Sequence, residues 1–188
     1  METTEYRTTL KQKLVESAAK VVYTYTAHWK IVDRLKYRYC TIKIAQVIFT
    51  GIASCGLLSI LLGSYPCFSI IGGVFAFLSL SVNLYSLHFN LPDKIKQHTD
   101  AANELWLIRE SYMALITDFD VMDDEKIRNE RDKLTEMINQ VNVTYPNTDK
   151  QSYTEAQVAL KQDEEQTFSE GEAEKLLNLH HKKHSTKT

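Results

Sequence analysis

The sequence predicts an all-α membrane protein: a two-transmembrane helical hairpin whose long cytoplasmic extensions pair as an antiparallel coiled coil, followed by short C-terminal helices. Three observations lead there. Residues 44–92 contain no Asp, Glu, Lys or Arg, although these types make up 24% of the chain. That stretch divides into two apolar segments, 44–62 and 68–89, around the polar break GSYPC, and each has about the 20 residues a helix needs to cross a bilayer core. On both sides of the stretch, apolar residues recur at helical steps. A buried hairpin in a soluble domain is the alternative, but soluble cores spread over many amphipathic helices, whereas these two segments are apolar on every face. With about ten Leu, Ile, Phe or Val each, at roughly −0.3 to −0.6 kcal/mol per residue, insertion is favoured by several kcal/mol.

The first element, residues 1–43, reads as one cytoplasmic amphipathic helix running into the first span. No Gly or Pro interrupts 1–50, so nothing punctuates it. Leu10, Leu14, Ala18, Val21, Tyr25, Val32, Leu35, Tyr39 and Ile42 form a stripe with His28 in its polar slot, suited to packing on another helix. Tyr23, Tyr25, Trp29, Tyr37 and Tyr39 cluster towards the membrane as an interfacial belt would. The hairpin then occupies 44–89, its turn carrying the breakers Gly63 and Pro66. Residues 90–119 continue the second helix into the cytoplasm, with Pro92 and Asp93 suited to a first turn and a stripe through Leu91, Ile95, Ala102, Leu105, Ile108, Tyr112, Leu115 and Phe119. Leu35 is expected near Ile95 or His98. Residues 120–178 form a C-terminal helical region: a helix capped by Asp123 or Asp124 and ended at Pro146, another over 151–166, and a short one near 172–177. Residues 179–188 read as a frayed tail.

Charge sets the expected orientation. Residues 1–43 hold nine Lys/Arg against four Asp/Glu, the remainder 13 against 20; neither balance indicates a nucleic-acid binder. Lys30, Arg34, Lys36, Arg38 and Lys43 precede the first span, Lys94 and Lys96 follow the second, and the connecting loop is uncharged. Lys and Arg stay on the cytoplasmic side, so both termini are expected there, in a plasma (inner) membrane. The N-terminal residues lack a basic start followed by an apolar core, and the first span is expected to direct its own insertion. Cys40, Cys55 and Cys67 form no CxxC pair and read as small packing residues.

Within the spans, Gly51, Cys55 and Ser59 make small-xxx-small spacing, as do Gly72 and Ala76. These faces serve either packing inside the hairpin or contact between protomers of a homo-oligomer. Thr50, Ser54, Ser79 and Asn83 are candidate pore-lining residues, since an amide facing lipid is costly. Trp29, Lys30, Arg34, Lys36, Arg38 and Lys43 read as topology and lipid anchors, with anionic head groups as an alternative ligand. The acidic group Asp118, Asp120, Asp123 and Asp124 lacks the Gly and terminal Glu of a calcium loop and reads as caps on a solvated turn. His180, His181 and His184 lack a fourth ligand and a frame for a metal. No nucleophile–base pair, phosphate loop or cofactor site is present, so no enzyme and no cofactor is expected.

A two-span hairpin with long helical arms, Trp29-Lys30…Arg34-Leu35 entering the first span and Ala-Asn-Glu-Leu-Trp-Leu at 102–107 after the second resembles the SLATT family, the SMODS- and SLOG-associating two-transmembrane effectors of bacterial conflict systems. The acidic, aromatic portion around Phe168-Ser169-Glu170 resembles a subgroup linked to reverse transcriptases. The resemblance implies an effector that a partner enzyme, a reverse transcriptase or nucleotidyltransferase encoded nearby, switches on, after which hairpins assemble and permeabilise the membrane. The residues themselves support a membrane hairpin with a coiled-coil arm and spans capable of oligomerisation; the competing reading is a membrane-anchored coiled-coil adaptor without pore activity, and a weaker one a metal or small-ion carrier.

Overall fold

The computed structural model describes residues 2–61, 66–170 and 172–176. The turn expected at 63–65 and the tail expected at 179–188, with its three histidines, lie outside the described residues. Among the described residues every regular element is a helix, with no strand.

Helix α1, Glu2–Leu61, runs 60 residues without a break, about 90 Å at 1.5 Å per residue. Pro66 opens α2, Pro66–Phe89, where a missing N–H costs nothing. The continuation beyond the second apolar helix is a separate helix, α3, Leu91–Thr117. Between them Asn90 sits in the left-handed region (φ 38°, ψ 54°), a conformation Asn tolerates better than most residues. Pro92 explains the break: it has no N–H to continue the ladder from α2, and its ring would crowd the carbonyl of residue 88. The Asn90 side chain also bonds Asp93 in the first turn of α3.

The arms run antiparallel. Arg7 of α1 reaches the Phe119 carbonyl at 2.9 Å, His28 meets His98 at 2.8 Å, and Gln46 meets Asn83 at 3.0 Å, so partner numbers fall as α1 advances. The expected register is thereby sharpened: His28, rather than Leu35, is the neighbour of His98. Leu35 shares a cavity with Leu91 instead.

Both stripes read from the sequence are buried where they face each other, at Leu10, Leu14, Ala18 and Val21 on α1 and at Leu105, Ile108, Tyr112 and Leu115 on α3. A two-helix seam leaves one flank of each stripe open, and a third helix closes it. Helix α4, Asp124–Thr144, inserts Ile127, Leu134 and Val141, spaced by heptads, into the same core. The arms outside the apolar hairpin therefore form a three-helix core rather than a bare coiled coil. A single 3-10 turn, Phe119–Val121, joins α3 to α4. Arg7 ties that turn down through the Phe119 and Met122 carbonyls and Asp124, and Lys11 pairs with Asp120 at 3.0 Å.

Helix α4 ends at Tyr145, before Pro146. Helix α5, Lys150–Lys161, starts from a capping box in which the Asp149 carboxylate accepts from the Ser152 N–H, and the Ser152 hydroxyl accepts from the Asp149 N–H. It buries Ser152, Ala156 and Ala159, a small-residue face that lets it lie close against α1. It ends at Lys161, so the helix expected to reach residue 166 gives way to turns that include left-handed Glu164 and Gln166. The short α6, Glu172–Leu176, begins where the Glu172 carboxylate accepts from the Ser169 N–H at 2.8 Å.

Candidate functional site

The two apolar helices meet along a narrow seam. Gly56 and Gly72 touch backbone to backbone: a Cβ built on Gly72 would stand 2.6 Å from the Gly56 Cα. Only two glycines permit that approach. One to two turns away along α1, Ala53 is buried and the hydroxyls of Thr50 and Ser79 bond at 2.9 Å. Next in line, the Gln46 amide donates to the Asn83 carbonyl oxygen at 3.0 Å, while Asn83 donates to the Ser79 backbone oxygen. Phe49 and Phe75 add a ring contact at 5.6 Å. In a low-dielectric surrounding, this pairing removes most of the cost of carrying hydroxyls and amides into lipid.

Of the small residues singled out from the sequence, Gly72 lies in this seam. Ser59 bonds the Gly56 carbonyl at 2.7 Å. Gly51 has nothing within 4 Å of a built Cβ, and Cys55 and Ala76 are exposed. The first span thus carries two stripes of small and polar residues. One, Gln46–Thr50–Ala53–Gly56, binds α2; the other, Gly51–Cys55, faces outward. Sequence reasoning chose the outward stripe and missed Gln46 and Gly56. The signal for them was available in the spacing of Gln46 and Thr50, four apart, in line with the polar pair Ser79 and Asn83, also four apart. Ser54 satisfies itself on the Thr50 carbonyl at 2.8 Å, a bond that makes an outward hydroxyl tolerable in lipid.

The basic and aromatic residues before the first span divide in two. Arg34 pairs with Asp149 at 2.6 Å and Glu155 at 3.2 Å, and Lys30 with Glu165 at 2.8 Å. Gln166 donates to the Thr26 hydroxyl at 3.1 Å, and Tyr23 stacks on Tyr153. These residues fasten the C-terminal region to α1. Tyr25 packs against Trp29 and Trp106, a ring contact that joins α1 to α3. By contrast Lys36, Arg38 and Lys43 are exposed; Lys36 lies over the Trp29 ring and Lys43 over the Tyr39 ring.

His28 and His98 form a buried pair joining α1 to α3, Nδ1 to Nδ1, so one ring donates and the other accepts. Burial first, and then the neighbouring ring, holds His28 down at about 4. Burial also lowers His98, with Asp149 pulling up and Arg34 pushing down. Beside His28 a cavity of about 300 Å³ opens between α1 and the end of α4, lined in part by Thr24, Asn142 and Tyr145.

Two helices are long and apolar enough to cross a membrane, and their most apolar windows are only 17% and 11% buried. A soluble core helix would be mostly covered. SMODS and SLOG-associating 2TM effector domain family 4 matches the chain over residues 10–172. The chain belongs to this family. No curated protein and no solved structure matches it. In this SLATT protein the matched region begins at Leu10, the first core residue of α1, and takes in both apolar helices, the three-helix core and the α5 fastening. The arms are therefore part of the two-transmembrane effector domain.

Proposed function

We propose that this SLATT protein is the membrane-permeabilising effector of a bacterial conflict system, acting without a reaction or cofactor of its own. On a signal from a partner sensor, such as a neighbouring reverse transcriptase or nucleotidyltransferase, several hairpins associate in the inner membrane and halt growth. One observation carries the reading. The hairpin's helices press together at Gly56 and Gly72, so one copy encloses no water. Meanwhile Thr50 and Asn83 are exposed at the edge of the polar seam, and Gly51, Gly73 and Ala76 face outward. A ring of copies joined through the small-residue face presents that polar edge to a shared lumen. The exposed basic residues Lys36, Arg38, Lys43, Lys94 and Lys96 at the span ends favour both termini on the cytoplasmic side.

A second reading has its own support. Leu107, Met113, Val143 and Tyr153 are exposed apolar or aromatic residues on the cytoplasmic helices, which suits an adaptor docking a partner without conducting. A membrane-potential dye separates the two on induction of the protein with its neighbouring genes and their trigger. Depolarisation that Asn83→Leu alters without preventing assembly is expected; a sustained potential would leave the adaptor standing.

A further inference from the structure

The break at Asn90 shapes a second feature, a cavity of about 500 Å³ on the membrane-proximal side of the arms. Helix α1 continues unbroken beside the point where α2 ends and α3 begins through Asn90, and the cleft lies against that joint. Its apolar wall is made by Ile42, Leu91 and the rings of Tyr85 and Phe89, and its polar wall includes Arg38 and Lys94. The cleft therefore straddles the boundary of the charge-free stretch 44–92: acyl-compatible on one side, cationic on the other. Its size lies within the range of small-ligand sites.

Arg38 and Lys94 are the telling residues. Lys30 and Arg34 are engaged with carboxylates of the C-terminal region, and the exposed Lys36, Lys43 and Lys96 do not line the cleft. No carboxylate among the described residues pairs with Arg38 or Lys94. Asp93, the neighbour of Lys94 in sequence, turns to the Asn90 amide instead, and Lys94 lies over the Phe89 ring at 6.0 Å. Two unpaired cations from different helices thus share one amphipathic cleft at the level where a bilayer's head groups begin.

We propose that this cleft binds an anionic glycerophospholipid. The phosphate is held between Arg38 and Lys94, with Arg38 able to offer paired N–H donors to phosphate oxygens, and the upper acyl chains lie against Ile42, Leu91 and Phe89. A lipid seated there bridges α1 to the α2–α3 junction. The inference rests on the hairpin's being in a membrane, and it is independent of pore formation.

The test is native mass spectrometry of the full chain in mild detergent, titrated with phosphatidylglycerol or phosphatidylcholine. Wild type should retain phosphatidylglycerol in preference to phosphatidylcholine. Arg38→Gln/Lys94→Gln should weaken phosphatidylglycerol binding at least about tenfold, since each cation near a lipid surface is worth about 1 kcal/mol. Lys20→Gln/Lys126→Gln removes the same charge from exposed positions far from the spans and should change binding less than about threefold, because the attraction of a cation to a lipid surface falls off within a Debye length. Three results would overturn the proposal: no preference for the anionic lipid, equal loss in both double variants, or displacement of the lipid by millimolar inorganic phosphate. The last would mark a free-phosphate site. All substituted residues are exposed, so the variants keep the fold, and retained helicity by circular dichroism checks it.

Discussion

The buried His28–His98 pair makes the helical arms sensitive to acid. His28 takes up a proton at about 4 in the folded arms, against about 6.5 in an unfolded chain. Between those values the unfolded chain binds a proton that the folded chain refuses, so stability is complete above about 6.5 and falls as pH drops towards 4. The full difference is about 3 kcal/mol, and about 2 kcal/mol is already lost at pH about 5. His98 is displaced in the same direction and adds to the loss. The chain's two tryptophans, Trp29 and Trp106, both flank Tyr25 in the arms, so their fluorescence reports on this region and not on the spans. Urea titrations of the full chain in mild detergent, at pH about 7 and about 5, should show the wild-type arms weakened by about 2 kcal/mol or more. His28→Gln/His98→Gln should show little change between those pH values. An equal loss in wild type and variant would refute the reasoning, as would an NMR titration in which His28 protonates near 6.5.

Two further outcomes follow from the hairpin. Gly72→Leu drives a side chain into the Gly56 backbone, an overpacking of roughly 1–3 kcal/mol or more, and should loosen the hairpin itself; Gly51→Leu points into open space, should leave the monomer intact and should act only on assembly, a contrast read from limited proteolysis beside native gels. Cys67 at the start of α2 and Cys40 on the far side of the first span are both exposed, so in intact cells an impermeant maleimide should label Cys67 and spare Cys40, and the reverse pattern would invert the topology.

Much of this architecture could be read from the chain because its signals are local. A charge-free stretch and two stripes at helical spacing depend on neighbours within a few residues, and they led to the hairpin and the antiparallel arms. The third helix was harder. Ile127, Leu134 and Val141 lie a heptad apart in a segment crowded with Asp, Glu, Lys and Arg, which places a helix there without showing which core it enters. The fates of Lys30 and Arg34 were hidden for another reason: their partners Glu165, Asp149 and Glu155 lie more than 100 residues away, and a basic run before a span looks the same whether its charges face head groups or carboxylates. In the first span, two small-residue stripes fit the same helix, and only the position of Gly72 opposite Gly56 decides which one α2 occupies. Asn90 was passed over because Pro92 signals a helix start without revealing how the preceding residue turns.

The unequal construction of the two arms has a mechanical consequence. On one side, α1 carries the chain from Glu2 to Leu61 as an unbroken rod; on the other, the path from α2 to α3 passes through a single left-handed joint at Asn90. A lateral load on the three-helix bundle is therefore shared asymmetrically. The jointed side yields by rotation about one residue, whereas the rod transmits the same torque undiminished into the first span. The outward stripe at Gly51 and Cys55 rides on that rod, so a torque applied to the bundle would reach that stripe along α1.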